Sequence, residues 1–168
     1  TTVRGLAKIK VDNDEFPAIL DQIDEAVDFF GRECGGKEAL LIAERNRAAG
    51  GGQGTSGTME YYRRSVALQE AVMYLMREAV VDRVSQATAD VANILNTSKV
   101  PIAADKLEAS LVYTRFHGIS ARTNRLMMMV TKRLHRGDAY RDFLNLSRNN
   151  YCASRESLLK LTLRAHMD

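Results

Sequence analysis

The chain has little of what usually announces a function. It contains no tryptophan, two prolines and two cysteines, and aromatic residues make up 7% of its 168 positions. Cys34 and Cys152 lie far apart and form no CxxC pair or Cys/His cluster, so neither a disulfide framework nor a zinc site is indicated, and buried or inert thiols are expected. No apolar run approaches the roughly 18 residues of a membrane span. The first residues, Thr1, Thr2, Val3 and Arg4, lack the apolar core of a secretory signal. These absences point to a chain without a membrane partner, located in the cytoplasm or inside a virus particle. His117, His135 and His166 have no Ser or Cys partner in a nucleophile motif, and no HExxH, ExxH or acidic pair at metal-ligand spacing occurs. No cofactor, metal or small-molecule substrate is indicated, and the expectation is a protein that is not an enzyme. A catalytic site assembled only in three dimensions is the competing possibility, because triads are defined by geometry and not by sequence order.

A glycine-rich stretch, Gly50-Gly51-Gly52-Gln53-Gly54-Thr55-Ser56-Gly57, invites comparison with phosphate-binding loops. It lacks the Gly-Lys-Ser/Thr ending of a P-loop. It satisfies the letters of GxGxxG without a preceding strand or an acid placed to receive a ribose. A hinge between residues 1–49 and 58–168 is the simpler reading.

What the chain does have is apolar periodicity. With 45% apolar and 27% charged residues, its composition is that of an ordinary folded protein. From Thr58 to Leu95, Tyr62, Val66, Met73, Met76, Val80, Val84, Ala87, Val91 and Ile94 recur mostly three or four apart, with no Pro or Gly between them. That run predicts one continuous helix of roughly 57 Å at about 1.5 Å per residue, a spine for the rest. Thr58 is the expected N-cap, with Glu60 in the first turn, and Asn96, Thr97, Ser98 and Pro101 end the helix.

Around the spine, alternation of Val3, Ala7, Ile9 and Val11 with Arg4, Lys8 and Lys10 predicts a short strand or extended arm. The stripe Phe16, Ile19, Leu20, Ile23, Ala26, Val27 and Phe30 predicts a helix that starts near Glu15 or Phe16, because Pro17 is tolerated only in the first turn, and stops at Gly31. Residues 37–47 are compatible with a strand or a short helix, and their Lys, Glu, Ala and Leu content favours helix. Beyond Pro101, helices are expected over 102–117, stopping at Gly118; from Ser120 to Gly137; from Asp138 through Leu146; and over 155–166, capped by Ser154. The predicted fold is all-α: a multi-helix, bundle-like body around one long central helix, with a smaller N-terminal segment carrying a short strand.

Charge is unevenly spread. Residues 1–60 hold 7 Lys/Arg against 11 Asp/Glu, residues 61–100 hold 5 against 4, and residues 101–168 hold 12 against 6. An acidic front and a basic back suit head-to-tail self-association or a polyanionic partner. Nine of the last twelve cations are Arg, the residue for bidentate phosphate or carboxylate contacts. The alternative is a solvated helix face with intrachain salt bridges.

Two clusters are candidate contacts for RNA, DNA or an acidic protein. Tyr61, Tyr62, Arg63 and Arg64 combine stacking surface with phosphate-binding groups. Arg122, Arg125, Lys132, Arg133 and Arg136 form a second basic stripe. Met127, Met128 and Met129 beside it point in three directions around a helix, so at least one faces away from the local core or into another subunit. Both clusters also suit protein interfaces, where Tyr, Met and Arg are enriched. The segment Arg115 to Leu126 resembles a helix-turn-helix in placing Gly118 before a basic second helix, but Asn124 stands where a buried aliphatic residue is expected, and Thr114 where a small one is. An αα-hairpin accounts for the same residues. The function expected is therefore a non-enzymatic, homo-oligomerising structural or assembly protein of the kind found in a nucleoprotein or virus particle. A DNA-binding regulator using residues 119–130 and an enzyme are the alternatives.

Overall fold

The computed structural model describes residues 10–50, 57–97 and 104–167, together with side-chain surroundings for all of these except 95, 96, 104–110 and 161–167. The strand expected over residues 3–11 falls largely outside the described residues, as does most of the glycine stretch. Among the described residues the protein is all-helical, with α1 Phe16–Cys34, α2 Gly36–Ala48, α3 Gly57–Thr97, α4 Ala104–Thr131 and α5 Asp138–Met167, plus a 3-10 turn at Leu134–Arg136. The chain divides into two compact units, residues 1–74 and 75–168, and the division lies inside α3.

In the first unit, Phe16, Leu20 and Ile23 are buried at the i, i+4, i+7 spacing that places them on one face of α1. Pro17 sits in the first turn, where its missing N–H costs nothing. Buried Asp24 accepts a 2.7 Å hydrogen bond from Gln69 Nε2 of α3, which ties the two helices by a polar contact beside the apolar one. Gly31 was expected to end α1 and does not. The Tyr62 ring lies against it so closely that an added Cβ would stand 3.1 Å from Tyr62 Cε2. The glycine serves close approach, and the helix continues to Cys34, where Gly35 at φ 84° donates its N–H to the Gly31 carbonyl. Residues 37–47 are helical, with Glu38 in the first turn of α2 and Arg45 and Arg47 in the last, each sign at the favourable end of the dipole.

In the second unit, the α3 residues Met76, Val80, Val84, Ala87 and Val91 are buried, three or four apart as their sequence spacing requires. From α4 come Phe116, Leu126, Met129 and Val130, and from α5 Tyr140, Phe143 and Leu158. At 28 and 30 residues, α4 and α5 are themselves long beside the 41 of α3. They replace the four shorter helices that stop signals suggested. Gly118 lies within α4, where an added Cβ would meet nothing within 4 Å. A mid-helix glycine costs only about 1 kcal/mol, whereas burying one Phe, Leu or Val side chain contributes roughly 1.5–3 kcal/mol. Phe116 and Leu126, on either side of it, decide the matter. Ser120 caps nothing; its hydroxyl donates to the His117 carbonyl at 2.7 Å, the usual accommodation of serine inside a helix. Ser154 likewise lies within α5. The true break comes after Thr131, and the chain re-enters α5 through Gly137 at φ 146°, ψ −177°, a conformation open essentially to glycine alone.

Candidate functional site

The first basic-aromatic cluster stands at the start of α3 and is only partly a surface. Tyr61 is 57% exposed and stacks on Phe30 with ring centroids 5.5 Å apart and planes 19° from parallel. Tyr62 next to it is buried against Gly31. Burial, reinforced by the negative charges that Cys34 and Asp28 would carry, pushes its phenol above the usual range, and it offers no ring to a partner. Arg63 and Arg64 are three and four residues beyond Glu60, so both reach one carboxylate. Arg63 Nε and Nη2 each donate at 3.0 Å, and Arg64 Nε donates at 2.9 Å. The hydrogen bonds from Arg63, then Arg64, hold the Glu60 carboxyl down at about 2. The three side chains together present one net positive charge.

The second cluster divides in the same way. Arg122 is exposed and Arg125 half-buried on α4, three residues apart on one face; Lys132 and Arg136 are exposed at and beyond its C-terminal end. Arg133 turns inward. It is buried, and its Nη1 donates at 2.9 Å to the Met129 carbonyl, one of the last four carbonyls that a helix cannot satisfy internally. This arginine holds a helix end and is not displayed to a partner. The adjacent methionines separate by direction: Met127 is half-buried, Met129 is buried, and Met128 is 60% exposed. Tyr113 and His117, which the sequence did not single out together, stack on the outside of α4 at 5.4 Å and 13°. Their i, i+4 spacing was the available signal.

Residues 115–126 form one uninterrupted stretch of α4. The turn on which a helix-turn-helix, or an αα-hairpin, depends is absent there, so residues 119–130 are not a second helix presented by a first.

Within the second unit, α3, α4 and α5 leave a half-open cavity of about 400 Å³. Its walls include Val80, Val84, Ile119, Met127 and Leu144, while Thr123 and Ser147 contribute hydroxyls, and exposed Arg148 and Tyr151 also line it. Nothing in the local sequence marks these positions, because three separate helices supply them. Among the described residues, no helix is long and apolar enough to cross a membrane. No protein-family model, curated protein or solved structure matches the chain.

Proposed function

We propose that the protein is a non-enzymatic structural or assembly subunit, of the kind that builds a nucleoprotein or virus particle, which self-associates through its first unit and holds nucleic acid through its second. In this reading α3 is the central helix of the subunit. The observation that carries the proposal is the apolar surface left on the first unit: Leu41 is 64%, Ile42 60% and Phe29 53% exposed, on helices that bury other residues, Phe16, Leu20 and Ile23 in α1 and Leu40 in α2. Side chains of this size cost free energy in water, and neighbouring ones mark contacts between proteins more often than chance. The second copy of the chain is the occupant that explains them most simply. Charge supports the other half of the reading, since residues 1–74 hold 9 Lys/Arg against 12 Asp/Glu and residues 75–168 hold 15 against 9. Arg122 and Lys132 stand exposed in the basic unit.

Light scattering on the purified chain is expected to show a discrete oligomer or polymer, and the paired change Leu41→Glu, Ile42→Glu is expected to reduce it to monomers of unchanged helix content. A wild-type chain that stays monomeric at high concentration would sink the assembly reading. RNA or DNA should bind with an affinity that falls steeply with salt. The pair Arg122→Ala, Lys132→Ala should weaken all sequences alike, as phosphate contacts do; binding indifferent to salt, or selective loss on one sequence, contradicts this. Binding to an acidic protein but to neither nucleic acid would replace the proposed partner.

A further inference from the structure

We infer that the cavity in the second unit is a binding site for a small carboxylate with an apolar body, such as a medium-chain fatty acid. Two independent observations lead there. The first is size and lining: about 400 Å³ lies inside the range of roughly 300–1,000 Å³ that small-molecule sites occupy, and such sites combine apolar walls with a few placed polar groups. Val80, Val84 and Leu144 form part of those walls.

The second is the state of two hydroxyls. Ser65 and Thr88 elsewhere in the helices, and Ser120 and Thr131 in the cavity wall itself, satisfy their hydroxyls by donating to a carbonyl three or four residues back. Thr123 and Ser147, both lining the cavity, do not: Thr123 Oγ1 and Ser147 Oγ are buried and have no hydrogen-bond partner among the described residues. Ser147 is only 1% exposed. A buried hydroxyl left unpaired is unfavourable, and one staggered rotation about χ1 is enough to redirect it to a newly arrived acceptor. Two such donors, from α4 and α5, match the two oxygens of one carboxylate.

Charge selects the anion over a neutral alcohol. Arg148 follows Ser147 directly, and among the described residues no Asp or Glu lines the cavity. The guanidinium therefore has no competing carboxylate in the lining, and a charge-assisted bond to an arriving one is the strong kind. The apolar chain of the ligand lies against the valines and Leu144, and the Tyr151 ring, packed edge-on to Phe116 at 5.7 Å, contributes a further apolar edge to the lining. This inference is independent of the assembly reading, because none of its residues belongs to the surfaces invoked there.

The test is calorimetric titration of the full chain with decanoate and with decanol, each below its self-association limit. Decanoate is expected to bind saturably, one per chain, and to raise the thermal unfolding midpoint. Arg148→Ala should weaken decanoate about tenfold or more and leave decanol unchanged. Ser147→Ala should weaken decanoate several-fold without lowering the midpoint of the unliganded chain, because the hydroxyl removed makes no bond there. No saturable binding of decanoate, as a cavity filled only by water predicts, overturns the inference. So does decanoate affinity indifferent to both substitutions, or a Ser147→Ala chain destabilised when empty with decanoate affinity intact.

Discussion

Gly118 and Gly137 show how one residue type carries opposite instructions at two places in the second unit. Gly118 has ordinary helical backbone and open space where a side chain would go. Gly118→Ala is expected to stabilise the protein by about 0.5–1 kcal/mol, read as a higher denaturant midpoint at constant slope. Gly137 has equal space but a φ of 146°, so Gly137→Ala should cost about 1–3 kcal/mol through backbone strain alone. If both substitutions moved stability the same way, the backbone account of this turn would be wrong. Arg133 makes the matching point for charge. Truncation to Ala leaves the Met129 carbonyl without its buried donor and should destabilise by roughly 1.5–3 kcal/mol. Arg133→Met, which keeps the packing of the stem, should lose less, and neither should change affinity for nucleic acid if the residue serves only the helix end.

At the scale of elements, apolar spacing was the dependable guide and punctuation was not. The stripes from Phe16 to Ile23 and from Met76 to Val91 are the faces that became buried, so helices α1 and α3 were legible. Gly31 and Gly118 read as helix stops because glycine is a weak helix former, and Ser120 and Ser154 read as helix starts because serine is a favoured N-cap. Each such preference is about 1 kcal/mol or less, smaller than the burial of a single neighbouring core side chain. The candidate contacts were legible as charges but not as directions. Tyr62 is buried because Gly31, half the first unit away in sequence, makes room for its ring. Glu60 was readable: its spacing to Arg63 and Arg64 is that of a helix ion pair, and both bonds form. This first turn of α3 should also respond to acid. Glu60 titrates at about 2 in the folded chain against an ordinary 4.5, so its contribution is present above about pH 4.5 and is lost as pH falls toward 2. Its partners Arg63 and Arg64 are exposed to solvent, which keeps the effect small. Thermal midpoints measured across that window should fall less steeply for Glu60→Gln, and a slope identical to wild type would rule out this linkage.

At the scale of the whole sequence, residues 1–74 are acidic and residues 75–168 basic, and the division between the two units falls within α3. Net charge of opposite sign on the two units is a property of solution behaviour more than of fold. Self-association driven by Leu41 and Ile42 should survive added salt, whereas any part of it driven by unlike charge should be screened within about 10 Å at 0.1 M ionic strength. Sedimentation across a salt series therefore separates the two: oligomers that dissolve completely as salt rises would shift the assembly from apolar to electrostatic contact. The neighbouring pair Met128 and Met129 supplies an independent gauge of the second unit. One thioether is open to solvent and the next is sealed in the core, so peroxide should convert Met128 to its sulfoxide while the fold is intact and reach Met129 only when the unit opens. Two adjacent sulfurs thus make a chemical clock, and the lag between their oxidations measures how often α4 lets go of its neighbours.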